Sequence, residues 1–335
     1  MFRHQKHNWL AIIGICVLSM ACWPTNLHGQ NDVFERFGEI VTPGRFVLRW
    51  GMQKGQKFLV EAVQETVTEI ESPLGKSGRM PATLTVHQEW EVLESDEQSL
   101  TLLQTFLDLQ LETTLVGAGK VSADTKAPEP ESPIAKQMHA NLSELVGRQL
   151  KLHANRLGQV SKFEFVEPAV TEAPKNQQFL TKENLKNAVG QMVQFPKATR
   201  AVGETWGTTI KSPQPNGTAE VSTEYTLLEI LPNQPRWLKI GVAPKLTLTI
   251  KDEAMVVEEQ SSEGHIVYDD ELALVRETFL KQAFVFVVKS DEGGKRRIES
   301  TMRMKIEPVG AQESSPTETT GENKEAGPVS LESGK

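Results

Sequence analysis

Three stretches of this chain alternate apolar and polar side chains over ten residues or more, a pattern suited to a β-strand with one buried face. Ala82, Leu84, Val86, Trp90 and Val92 alternate with Thr83, Thr85, His87, Glu89 and Glu91. Leu103, Leu107, Leu109, Leu111 and Leu115 are set against Gln104, Asp108, Gln110 and Glu112. Ile298, Met302, Met304 and Ile306 are set against Arg297, Glu299, Arg303 and Lys305. Further strands are expected over 45–50, 56–70, 148–154, 159–166, 204–211, 218–231, 236–242, 245–251, 264–276 and 279–289. Asn155-Arg156-Leu157-Gly158 and Pro213-Gln214-Pro215-Asn216-Gly217 supply turn chemistry between neighbouring runs. Phe284-Val285-Phe286-Val287-Val288 is apolar on both faces, as in a central strand or one covered by a helix.

Two segments carry helical spacing instead. Thr181 is a suitable cap for a helix over 182–194, with Leu185, Ala188, Val189 and Met192 on one face. Leu180 and Leu185 would form a hydrophobic staple there. A second helix is expected over 133–146, with Ser132 as cap, Pro133 in the first turn and Gly147 as the stop. Its stripe is Ile134, Met138, Leu142, Leu145 and Val146.

Many strands joined by hairpins, with few helices, imply antiparallel pairing, and long strands in a large sheet must twist. The expected fold class is mainly β. It is a large curved antiparallel sheet or part-closed barrel with two short helices packed on it, two packed β-sheets being the alternative.

The start of the chain bears on compartment. Arg3 and Lys6 precede an apolar run from Trp9 to Met20, followed by small and then polar residues. That is the layout of a secretory signal, and the run is shorter than the roughly 20 residues a membrane span needs. Residues 1–29 are therefore expected to be a cleaved signal peptide. Cleavage after Ala21 or after Gly29 both fit, and lipidation of Cys22 is the alternative route. Cys16 and Cys22 are the only cysteines, so residues 30–307, expected to form one β-rich domain, contain no disulfide. A region of that size buries enough apolar surface without one.

Loss of the signal takes the 36 basic residues down by two, to 34, against 44 acidic ones, a net charge of −10. An acidic chain with no basic stripe is a poor binder of phosphate backbones, so no nucleic-acid partner is expected. Lys295-Arg296-Arg297 follows Gly293-Gly294 and reads as one end of a solvated hairpin. Residues 308–335, rich in Glu, Ser, Thr, Gly and Pro and lacking aromatics, are expected to be a disordered acidic tail. No stable membrane span is expected after cleavage.

Four motifs in order give a family likeness. Lys54-Gly55-Gln56-Lys57-Phe58 comes first, then Leu150-Lys151-Leu152 with Gly158-Gln159-Val160. Pro196 leading into Val202-Gly203-Glu204-Thr205-Trp206 follows, then Gly264 ahead of Tyr268-Asp269. Over about 45–307 the chain resembles exported bacterial β-rich proteins of a domain-of-unknown-function family. The resemblance implies an exported β protein and supplies no catalytic residues.

The residues themselves suggest no catalytic, cofactor or metal site. His87, His139, His153 and His265 have no zinc spacing, and Asp269-Asp270-Glu271 are adjacent rather than alternate, unlike calcium ligands. No G-x-S-x-G and no cysteine outside the leader provides a nucleophile. Asn141-Leu142-Ser143 and Asn216-Gly217-Thr218 match glycosylation sequons. Val202-Gly203-Glu204-Thr205-Trp206 reads as a turn glycine followed by a core tryptophan. The expected role is that of an exported, non-enzymatic protein of the periplasm, cell envelope or extracellular space. It would bind an apolar ligand such as a lipid inside the curved sheet, with Leu185, Val189 and Met192 as lid or ligand contacts. A structural or protein-interaction module with a solid interior is the alternative, and a hydrolase a remote third; no protein partner is specified.

Overall fold

The computed structural model describes residues 43–71, 77–115, 117–166, 192–214, 217–234, 236–250, 255–288 and 294–310. The proposed signal, the acidic tail beyond Gly310, and Leu185 and Val189 lie outside the described residues.

Fourteen strands and one helix are described. In chain order they are β1 (Arg45–Phe46), β2 (Lys57–Glu71), β3 (Ser77–Ser95), β4 (Ser99–Leu115), β5 (Gly119–Asp124), α1 (Pro133–Ser143), β6 (Gln149–Asn155) and β7 (Val160–Val166). After these come β8 (Arg200–Ala201), β9 (Thr205–Gln214), β10 (Gly217–Ile230), β11 (Trp237–Ile250), β12 (Met255–Asp269), β13 (Leu274–Val288) and β14 (Gly294–Pro308). Twelve of the strands make a single antiparallel sheet in the order β7-β6-β4-β3-β2-β14-β13-β12-β11-β10-β9, with β5 alongside the far part of β4. β1 and β8 form a small separate pair. One large antiparallel sheet, without closure into a barrel, is the mainly β architecture that the alternation predicts.

The sheet consists of two hairpin meanders. The N-terminal one runs β2 to β7, and the C-terminal one runs β9 to β14. They join where β14 pairs with β2 from Lys295–Glu71 to Pro308–Phe58. Phe284 to Val288 lies on β13, paired on both sides, which explains a segment apolar on both faces.

Several expectations need correction. The leucine alternation in β4 changes face halfway, because a bulge lies between the pairs His87–Asp108 and Gln88–Phe106. An added residue in one strand inverts every side chain beyond it. Leu102, Gln104 and Phe106 are therefore buried before the bulge and Leu109, Leu111 and Leu115 after it, while Leu107 is exposed. The strands expected at 236–242 and 245–251 are one continuous strand. The turn expected near 277 lies at 270–273, where Asp269 Oδ1 accepts the backbone N–H groups of Glu271 and Leu272. Three adjacent acids thus stand at a turn. Helix α1 ends at Ser143, short of the expected 146, and Ser132 makes no side-chain capping bond. Residues 192–194, the end of the helix expected over 182–194, are not helical, and the rest of that helix lies outside the described residues.

The main core occupies one end of the sheet. Two extended segments, 46–53 and 192–196, cross the inner face there. Leu48, Trp50, Met52, Met192, Val193 and Phe195 are each no more than 4% exposed. They pack with residues from the whole width of the sheet, from Val160 on edge strand β7 to Trp206 on edge strand β9. Phe195 N donates to Leu157 O in the β6–β7 turn, and Trp206 Nε1 donates to the neighbouring Gln194 O. One short segment thus touches both edges of the sheet, so the sheet must curl round it.

Candidate functional site

Beyond the packed end, the inner face changes chemistry. Gln64 and Thr66 on β2, Thr278 and Gln282 on β13, Ser300 on β14 and Thr223 on β10 are all buried. Their register explains the grouping, since Thr66 lies opposite Ser300 and Ser300 opposite Gln282. Gln64 Nε2 donates to Ser300 Oγ at 3.2 Å, and Thr66 Oγ1 lies 3.4 Å from the same hydroxyl. These short neutral side chains make a polar belt across the middle of the sheet. Gln104 on β4 is a further buried polar residue, 1% exposed, with neither amide atom hydrogen-bonded among the described residues.

Past the belt the inner face is apolar again, and its two halves differ. In the N-terminal half Met80, Leu111, Leu115, Val121 and Ala123 are covered by α1 through Ala135 and Met138. In the C-terminal half Ala219, Val221, Leu246 and Phe284 cluster with the half-buried Leu248, Val257 and Phe286. Among the described residues no helix lies against that second cluster. Arg296 is half-buried at its rim, with Ile70 and Phe286 as register partners. Its neighbours Lys295 and Arg297 turn outward to Glu258 and Glu299, so the basic triplet is split between the two faces. Apolar floor, neutral polar belt and one basic rim residue suit an apolar ligand with a polar end.

The outer face carries a shallow cleft of about 320 Å³ over β2, β14, β13 and β12. Val67, Ala283, Ser261 and Thr301 contribute to it, together with Glu65, Lys281, Arg297 and Glu299. This mixed, charged lining is unlike the Leu, Val, Phe and Met lining expected of a lipid cavity.

Among the described residues the densest cluster of titratable groups surrounds His87. His87 Nδ1 lies 2.6 Å from Asp108 Oδ1 and His87 Nε2 lies 3.5 Å from Glu61. Lys126 Nζ is 2.8 Å from Asp108 Oδ2. Burial alone would lift the Asp108 carboxyl, but the bonds from Lys126 and His87 outweigh it and hold the carboxyl below its ordinary value. Both ring nitrogens of His87 face carboxylates, and no hydroxyl is bonded to it among the described residues. The cluster therefore lacks the nucleophile of a hydrolytic triad. No group of three His, Cys, Asp or Glu residues suits a metal ion among the described residues. No helix among them is long and apolar enough to cross a membrane, which leaves strands aside.

The residues singled out from sequence fall differently. Met192 is 1% exposed within the packed end, on an extended segment rather than a helical lid. Trp206 is buried and stacks on Tyr225, with ring centroids 5.3 Å apart. Gly203 makes a turn at φ 89°, and Glu204 holds Arg45 through two 2.7 Å bonds. The polar belt was not anticipated from the sequence. Its signal was present in the inward parity of Gln64, Thr66, Gln282 and Ser300, but alternation alone treats such residues as surface.

No family model matches the sequence, and no curated protein matches it. Among solved structures the chain is similar to one of lipovitellin, with 11% identity and a TM-score of 0.43, over 78% of this chain and 26% of that one. It is similar to DynF from the dynemicin biosynthesis pathway of Micromonospora chersina, with 8% identity and a TM-score of 0.22, over 85% of this chain and 94% of that one. An outer membrane channel from Pseudomonas putida F1 gives 8% identity and a TM-score of 0.24, over 79% of this chain and 99% of that one. The chain thus spans about a quarter of the lipovitellin chain. None of these distant likenesses assigns an activity.

Proposed function

We propose that this is an exported, non-enzymatic protein of the cell envelope that holds an apolar ligand, such as a lipid, on the inner face of its sheet. The observation that carries the reading is the asymmetry of the two halves. Helix α1 covers the apolar far end of the N-terminal half, whereas the matching surface around Phe284 and Phe286 has no described helix over it. Leu248, Val257 and Phe286 at the edge of that cluster are only half-buried, and apolar surface left open to water favours an apolar partner. The neutral belt of Gln64, Thr66, Gln282 and Ser300 would meet the polar end of the ligand with hydroxyl and amide groups. Export rests on the basic and then apolar start of the sequence, with residues 1–29 removed. Native mass spectrometry of protein purified from its own membrane fraction tests the reading. A co-purifying lipid is expected, displaced by a fluorescent polyene fatty acid. Protein that carries no lipid and binds no such probe would overturn it.

A structural or interaction module is favoured by a different observation. The end of the sheet built round Trp50 and Tyr268 is solidly packed.

A further inference from the structure

Strands β11 and β12 are hydrogen-bonded neighbours over only part of their length. Trp237–Val242 pair with Gly264–Asp269, and the pairing stops at Val242 and Gly264. Both strands nevertheless continue. β11 runs to Ile250, paired on its other side with β10, and β12 extends back to Met255, paired on its other side with β13. Two strand edges, 243–250 and 255–263, therefore face each other across a gap in the backbone ladder.

Pro244 supplies a physical cause. It has no N–H to donate, and a proline in an inner strand interrupts the ladder on the side it faces. Its carbonyl accepts the Ser262 hydroxyl, which fixes that side as the one towards β12. Two residues along, Leu246 N donates to Gln260 Oε1 at 2.9 Å. Side chains thus span the gap where backbone bonds would otherwise do so. Gln260 is exposed, so water reaches the gap.

Strand edges without a ladder are templates for another strand. We infer that this gap accepts an extended peptide as an inserted strand, one whose residues alternate apolar and basic. The apolar half of that pattern follows from the lips. Leu246 and Leu248 on one side and Val257 on the other belong to the inward cluster of Phe284 and Phe286. The basic half follows from the outer surface, where Glu258, Glu259 and Glu263 are exposed on β12 against Lys245 on β11. Glu258 already pairs with Lys295 at 2.7 Å, so the lip accepts ammonium groups. Insertion breaks the Gln260 and Ser262 bonds, parts the two lips by about one interstrand spacing of ~4.8 Å, and replaces those bonds with backbone pairing on both lips. The inference does not require a bound lipid, although the peptide's apolar side chains would meet part of the surface given to the ligand above.

A fluorescein-labelled heptapeptide of alternating lysine and valine tests it, by anisotropy titration and by hydrogen exchange. Saturable binding is expected, with slowed exchange in both 243–250 and 255–263. The same peptide with alternate backbone nitrogens methylated is expected to bind roughly ten-fold more weakly, since it cannot pair with both edges. Pro244→Val restores an N–H, lets the ladder continue and is expected to weaken binding by a similar factor. The methylated peptide keeps the test decisive should the Pro244→Val protein fold poorly. Equal binding of the methylated peptide, protection elsewhere, or no saturable binding overturns the inference. So does a concentration-dependent dimer that protects both lips without peptide, which would assign the gap to a second copy of the chain.

Discussion

The indole N–H of Trp50 donates to the carbonyl oxygen of Val193 at 3.0 Å, and the residues beside Val193 bond to both edges of the sheet. Arg156, in the β6–β7 turn, accepts Trp50 N at its own carbonyl and returns its guanidinium to the carbonyls of Trp50 and Met52. On the other flank the Tyr268 hydroxyl donates to Arg49 O at 2.8 Å. The rings of Trp50, Phe195 and Tyr268 follow one another at 5.9 and 5.1 Å. A segment with no regular secondary structure thus determines how far the sheet curls.

Trp50→Phe keeps most of the packing and removes the donor, leaving the buried Val193 carbonyl without it. A loss of about 1–3 kcal/mol is expected from urea unfolding. An unchanged midpoint would mean that Val193 O finds another donor.

Gly158→Ala is expected to cost more. Gly158 has φ +83°, and an added Cβ would stand 2.1 Å from Val193 O. Backbone strain alone accounts for about 1–3 kcal/mol, and the contact is with main chain that cannot rotate away. Loss of cooperative unfolding, or a much reduced melting temperature, is the expected result. A change under about 1 kcal/mol would show that the 192–196 segment shifts freely.

Met192→Ala tests packing against a lid. Met192 is 1% exposed in the main core, so its truncation is expected to cost about 2–5 kcal/mol with fatty-acid probe affinity unchanged. Phe286→Ser should do the reverse, weakening the probe by about ten-fold or more with a smaller effect on folding. If Met192→Ala alone weakens the probe, the ligand lies at the packed end.

Stability should fall at both pH extremes for identifiable reasons. Burial, partly offset by the hydroxyls of Thr208 and Thr223, pushes the Tyr225 phenol up to about 12. The fold favours the neutral phenol, so this contribution is complete below about 10 and disappears as pH rises from about 10 to about 12. Burial moves Tyr268 the same way. Asp108 is held below its ordinary value, so its contribution is present above the usual carboxylate range and is lost as pH falls through it. Urea midpoints against pH should show both limbs, Tyr225→Phe easing the alkaline one and Asp108→Asn the acid one. Limbs that ignore both substitutions would place the titration elsewhere.

The sequence alone determined the strands, because period two in Ala82–Val92 and Arg297–Ile306 leaves only one way to bury the apolar side chains. It also determined antiparallel order, through hairpin turns such as Asn155–Gly158. It could not reveal the bulge beside Asp108, since one added residue changes the face of a strand without altering its composition. Nor could it reveal that Met192 lies in an extended segment, because Leu185, Val189 and Met192 have helical spacing. The neutral belt became visible only when Gln64, Thr66, Gln282 and Ser300 came from three strands into register. The expected break between 236–242 and 245–251 falls at Pro244, yet the strand runs through it, and what the proline interrupts depends on which strand lies opposite. Local pattern fixes which side chains alternate; register, bulges and the segments laid across the sheet fix where they meet, and those depend on contacts far apart in the chain.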